Sequence, residues 1–164
     1  MRHRSAILPR LALLPCLALA LLPVCNAQAQ TLCSATSTPV AFGVYDPQSN
    51  SNLDNTGSIT VTCQATVSLL VAYTVKLSSG NSGAFSQRKM LNGASALNYQ
   101  AYIDATRTTI WGDGSSSTAY AADGYLLQVL TPVIKNYTVY GRVTGSQNVK
   151  AGSYLDTLTI LITY

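Results

Sequence analysis

The chain has 164 residues, 48% of them hydrophobic and only 10% charged, and ten Lys and Arg stand against six acidic residues for a formal charge of +4. Three of those basic residues, Arg2, Arg4 and Arg10, lie at the extreme N-terminus, so the rest of the chain carries seven Lys and Arg against six Asp, a net charge of about +1, which is no footprint for nucleic acid or an anionic membrane. The single histidine is His3 and every acidic residue is aspartate, which removes His-based triads, His-containing metal sites and glutamate acid–base chemistry together.

In chain order, the first 29 residues read as an export signal. The three arginines precede an apolar run from Leu11 to Val24, and the small-residue site Ala27-Gln28-Ala29 places cleavage before Gln30. The run is short and broken by Pro15 and Pro23, so it does not read as a stable membrane span. Pro23 and Val24 ahead of Cys25 do not suit a lipid-attachment site. Residues 30–164 remain as one exported domain, long enough to bury a core.

Two of the four cysteines, Cys33 and Cys63, survive cleavage in a compartment that permits disulfides, and they read as one bridge between the first two strands. Closing a loop of about thirty residues contributes roughly 3 to 4 kcal/mol in the chain-entropy model. A short first strand is expected at Val40 to Phe42, then the polar loop FGVYDPQSNSNLDNTG. SITVTC places Ile59, Val61 and Cys63 on one face, and LLVAYTVKL does the same with Leu69, Val71, Tyr73, Val75 and Leu77.

A second long loop, SSGNSGAFSQRKMLNGAS, contains S-x-x-K at Ser86 to Lys89, which lacks its companion motifs and reads as a basic loop rather than an activated serine. LNYQAYI aligns Leu97, Tyr99, Ala101 and Ile103. The stretch WGDGSSSTAYAADG follows, in which Asp113 between two glycines marks a tight turn. Asp104 and Asp123 are too few to complete a calcium shell with it. Trp111 with Tyr120 and Tyr125 is a candidate surface-binding patch, and the alternative is a tryptophan capping the core.

A less regular strand is expected at Tyr125 to Leu130, and YTVYGRV aligns Tyr137, Val139 and Val143. Asn136 meets the N-glycosylation pattern but reads as the start of that strand. From Tyr154 onward the alternation puts Leu158, Ile160, Ile162 and Tyr164 on an apolar face with nothing to cover the strand's outer edge. Six or seven strands without a helical segment make an all-β, immunoglobulin-like antiparallel sandwich the natural fold.

Taken in order, VAFGVYDP, GSITVTC, RKM with LNYQAYID, WGDG, YTVYGRV and QNVKAGSYLDTLTILITY resemble the spore coat protein U domain family over essentially the whole exported chain. The resemblance implies subunits of archaic, Csu-like chaperone-usher pili, used in adhesion and biofilm formation, whose sandwich lacks its last strand. It implies no enzymatic activity and no cofactor. Implied partners are a periplasmic chaperone, an outer-membrane usher and a neighbouring pilus subunit, which would supply the missing strand along Leu158, Ile160, Ile162 and Tyr164. The route is export to the periplasm and then to the cell surface. Burying about four such side chains contributes roughly 6 to 12 kcal/mol, comparable with the roughly 5 to 15 kcal/mol that holds a whole domain together.

In that family the donor strand precedes the first cysteine. Cleavage before Gln30 leaves three residues there, a reach of roughly 10 Å, so the chain is expected to accept a strand without giving one, at the pilus tip or another terminal place. Two other readings stand beside it: a self-complete coat or matrix protein in which Tyr125 to Leu130 closes the sandwich, and a carbohydrate-binding module built on Trp111.

Overall fold

The computed structural model describes residues 31–65, 69–127 and 131–164. The expected export segment and residues 128–130 of the Tyr125 to Leu130 run lie outside them. Eight strands follow in order: β1 (Thr31–Thr38), β2 (Leu53–Ala65), β3 (Leu69–Leu77), β4 (Arg88–Asn92), β5 (Ser95–Tyr102), β6 (Ala121–Leu127), β7 (Val133–Val143) and β8 (Ile160–Thr163), with one 3-10 turn at Gly80–Ser82. They form two antiparallel sheets, ordered β1-β2-β7-β5-β4 and β6-β3-β8. The fold is an immunoglobulin-like sandwich.

The alternating residues form strands because one face of each can be buried against the other sheet. On β2, Ile59, Val61, Cys63 and Ala65 are buried between outward Thr60, Thr62 and Gln64. On β3 the buried set is Val71, Tyr73, Val75 and Leu77, the side chain of Leu69 lying outside those described. Leu97, Tyr99 and Ala101 on β5 and Val139 and Val143 on β7 complete the inner faces. Cys33 and Cys63 sit directly opposite each other on β1 and β2 and form the disulfide.

Several boundaries differ from expectation. The first strand is Thr31–Thr38, a hydroxyl-rich stretch upstream of Val40 to Phe42, because pairing with β2 does not require an apolar edge strand. β2 starts at Leu53, inside the expected loop, where the Asp54 carboxylate takes hydrogen bonds from Arg142 opposite it on β7 at 2.7 and 2.8 Å. β4 arises within the second expected loop, its alternation hidden by an inward arginine, Arg88. β6 begins at Ala121 rather than Tyr125. The terminal run from Tyr154 alternates as expected, but only Ile160–Thr163 pairs as a strand.

Candidate strand-acceptor groove

At Pro39 the chain leaves β1 and crosses the inner face of the five-stranded sheet. Two bare glycines permit the crossing. A Cβ at Gly57 would lie 2.6 Å from the Thr38 carbonyl oxygen, and one at Gly141 would lie 2.6 Å from Val40 Cγ1 and 2.7 Å from Phe42 Cζ. Val40 and Phe42 thereby settle onto the core, with the Phe42 ring edge-on to Tyr99 at 5.9 Å. Residues 39–46 belong to no strand, and their backbone forms one rim without a strand partner, the Ala41 carbonyl accepting from the Asn55 side-chain amide.

The facing rim is the C-terminal segment. It leaves the five-stranded sheet where Leu155 exchanges two backbone hydrogen bonds with Leu91 of β4, at 2.9 and 3.1 Å. It joins the other sheet where the Ser78 amide donates to the Thr159 carbonyl at 3.0 Å and β8 pairs with β3. β8 is the edge of its sheet.

Between the rims runs a groove of about 930 Å³, floored by Ile59, Leu77, Leu97, Tyr99, Ala101 and Val139. Eight apolar side chains that line it, among them Val40, Phe42, Met90, Leu158 and Ile160, are only partly buried. By contrast Val61, Cys63 and Ala65 on β2 and Val71, Tyr73 and Val75 on β3 are buried.

Of the four edge residues expected from sequence, Leu158 and Ile160 line this groove. Ile162 continues their face and packs on the core opposite Val75. Tyr164 turns away, 54% exposed, beside a smaller depression that includes Ala72 and Ala122. Sequence reasoning missed Val40 and Phe42 as the opposite wall and Tyr99 and Met90 as floor.

It also passed over Asp156, the one charge in the terminal alternation. Asp156 Oδ1 accepts from the amides of Asn81 and Thr157, each at 2.8 Å, and Oδ2 accepts from the Tyr99 hydroxyl at 2.7 Å. Burial, then the bond to Asp156, pushes the Tyr99 hydroxyl far above its ordinary pKa, so it stays a neutral donor.

Nearby Arg88 is fully buried. It donates to the Ser78 carbonyl from Nε and Nη2 at 3.1 and 2.7 Å, to the Trp111 carbonyl at 2.7 Å, and to Gln100 Oε1 at 2.6 Å. Burial lowers its pKa, and electrostatic interaction with Tyr99 and Asp156 opposes that shift.

The aromatic patch does not form on the surface. Trp111 is 0% exposed, its indole nitrogen donates to the Val75 carbonyl at 2.9 Å, and Tyr137 stands edge-on to it at 6.3 Å. A ring without an accessible face cannot stack on a ligand, so Trp111 is a core residue, as the alternative reading held. Tyr120 is exposed beneath Lys76, whereas Tyr125 packs on Tyr73 at 5.6 Å with Lys135 over its ring.

Asp113 makes the expected turn, accepting from the Ser115 amide at 2.8 Å while Gly114 takes φ +95°. Asn136 lies within β7, accepting from the Thr60 hydroxyl at 2.7 Å. Among the described residues no three His, Cys, Asp or Glu side chains gather to hold a metal ion.

With this geometry the comparisons with known proteins agree. The sequence model of the Spore Coat Protein U domain matches residues 18–161, starting inside the segment read as an export signal. Protein U of Myxococcus xanthus is 37% identical over 132 residues, 75% of this chain and 70% of that protein. The fold is shared with the crystal structure of the CsuC-CsuE chaperone-tip adhesion subunit pre-assembly complex from archaic chaperone-usher Csu pili of Acinetobacter baumannii, at TM-score 0.56 and 19% identity. That alignment covers 82% of this chain, which spans only 40% of the chain it matches. The chain belongs to the spore coat protein U domain family.

Proposed function

We propose that this protein is an exported, non-enzymatic subunit of an archaic chaperone-usher pilus. Its groove accepts an extended strand, first from a periplasmic chaperone and then, at an outer-membrane usher, from a neighbouring subunit. The observation that carries this reading is the open groove itself, with apolar side chains half covered and the β8 edge beside it unpaired. An inserted strand would pair with that edge and cover the side chains. Covering the other half of eight apolar residues contributes roughly 6 to 12 kcal/mol, enough to decide whether the domain is stable at all.

The domain runs from Gln30, after cleavage of residues 1–29. With three residues ahead of Cys33 it accepts without donating, at the pilus tip or another terminal place, in a fibre serving surface attachment and biofilm formation. An intact mass that began well upstream of Gln30 would remove the terminal placement.

Thermal unfolding of the oxidised protein, made alone and together with a periplasmic chaperone of its own genome, tests the acceptor role. The expected result is a lone protein that folds but unfolds at low temperature and aggregates on heating, and a soluble one-to-one complex that melts sharply and higher. A lone monomer with a sharp, high transition and no chaperone complex would overturn it in favour of a self-complete coat protein.

A further inference from the structure

Among the described residues, the C-terminal rim from residue 151 to 159 has backbone bonds to the body of the sandwich at two places only, Leu155 and Thr159. Between them sits Asp156, whose carboxylate binds the rim at Thr157, the groove floor at Tyr99 and the 3-10 turn at Asn81. Asn81 reciprocates, its side-chain amide donating to the Leu155 carbonyl at 3.2 Å. The turn is shaped for this contact: Gly80 has φ +67°, and a Cβ there would overlap the Asp156 carboxylate.

The second tie is braced from the core. Ser78 holds Thr159 through both its amide and its hydroxyl, and the Ser78 carbonyl is in turn held twice by buried Arg88. A charged side chain on an otherwise apolar face costs burial, and here every contact it makes fixes the rim rather than the sheets.

We infer that Asp156 is a positioning residue: joined to Tyr99 and Asn81, it holds the C-terminal rim of the groove in its strand-accepting conformation before any partner strand arrives. This rests on the acceptor reading for its use, though not for its existence. A rim ordered in advance leaves less conformational freedom to lose on docking, so its effect falls on the rate of capture. Residues such as Leu158 and Ile160, which grip the strand after it seats, govern its release.

The test uses the oxidised protein without a partner. Amide hydrogen exchange is read at Asn81, Thr157 and Thr159 and compared with core amides of β2 and β7. Asp156→Ala is expected to lose rim protection by on the order of tenfold or more while core protection holds. Asp156→Asn, which keeps one carbonyl oxygen for the two amides, is expected to restore most of it, and Tyr99→Phe to lose an intermediate amount. These two milder variants decide the matter if the alanine variant does not fold.

Capture of a fluorescein-labelled nine-residue peptide, valine at alternate positions with serine between, is then followed by stopped flow. Association should slow by roughly tenfold in Asp156→Ala with dissociation little changed. Equal rim exchange in all variants would overturn the clamp, as would unchanged association with faster dissociation. A wild-type protein that captures no peptide would instead count against the acceptor reading, and the exchange result would still decide whether Asp156 orders the rim.

Discussion

The β1–β2–β7 side of the sandwich and the groove side are made from the same kind of alternating sequence, yet they are finished to different degrees. β2 is paired along both edges, with β1 over eight positions and with β7 over eleven, and its inward residues are buried. The rims of the groove also point Val40, Phe42, Leu158 and Ile160 inward, but Val40, Phe42 and Leu158 belong to no strand, β8 with Ile160 is paired on one side only, and all four side chains are half covered. Apolar alternation thus specifies which way a side chain faces, while complete burial also requires a neighbouring strand on each side. Where one is missing, the chain holds binding energy in reserve.

The largest expected effect would erase this contrast. Trp111 touches both sheets, through Val75 of β3 and Tyr137 of β7, and Trp111→Ala should destabilise by about 3 to 5 kcal/mol. In so small a domain that means loss of cooperative unfolding with and without a bound strand, measured by near-ultraviolet circular dichroism.

A middle-sized effect sharpens it. Val61→Ala, on the finished side, should cost about 2 kcal/mol in the free protein and the same in a strand-filled complex. Leu158→Ala should cost less than about 1 kcal/mol free, because the side chain is already half solvated, and about 2 kcal/mol or more once a strand covers it. Urea unfolding of both variants in both states checks the difference, and equal costs for Leu158→Ala would show that the groove is never filled.

The smallest effect concerns acid. The hydrogen bond from Arg142, aided by the charges of Arg142 and Arg107, holds the Asp54 carboxyl below the usual carboxylate range. The folded pKa lies below the unfolded one, so this contribution is fully present above the ordinary carboxylate pKa and is lost as pH falls through the folded value. The pair is partly exposed, and screening limits it to less than about 1 kcal/mol. Asp54→Asn should flatten the fall in urea midpoint below about pH 4; an unchanged slope would mean the pair contributes nothing to the finished side.

How legible all this was in the sequence follows from the same contrast. β2, β3, β5 and β7 are readable because each turns a run of alternate apolar residues onto the inner face of its sheet and buries them there. β1 is not, since an edge strand of Thr and Ser can be held by backbone pairing and a disulfide without an apolar face. β4 escaped because Arg88 occupies an inward position that sequence logic assigns to solvent, and the converging carbonyls of Ser78 and Trp111 with Gln100 Oε1 make it tenable. One groove wall could be read from Leu158 and Ile160. The other could not, because Val40 to Phe42 resembles any short strand, and its role depends on glycines fifteen and about a hundred residues away, Gly57 and Gly141. Trp111, distinctive in sequence, proved to be filling rather than surface.

The disulfide has a mechanical consequence. β1 is an edge strand and would fray from its upstream end one hydrogen-bonded pair at a time. Cys33 lies two residues into β1 and is bonded to Cys63 at the far end of β2. Fraying from Thr31 therefore stops after two residues, where the edge is joined covalently to the strand that β7 pairs over eleven positions, so the least protected strand is held by the best anchored one.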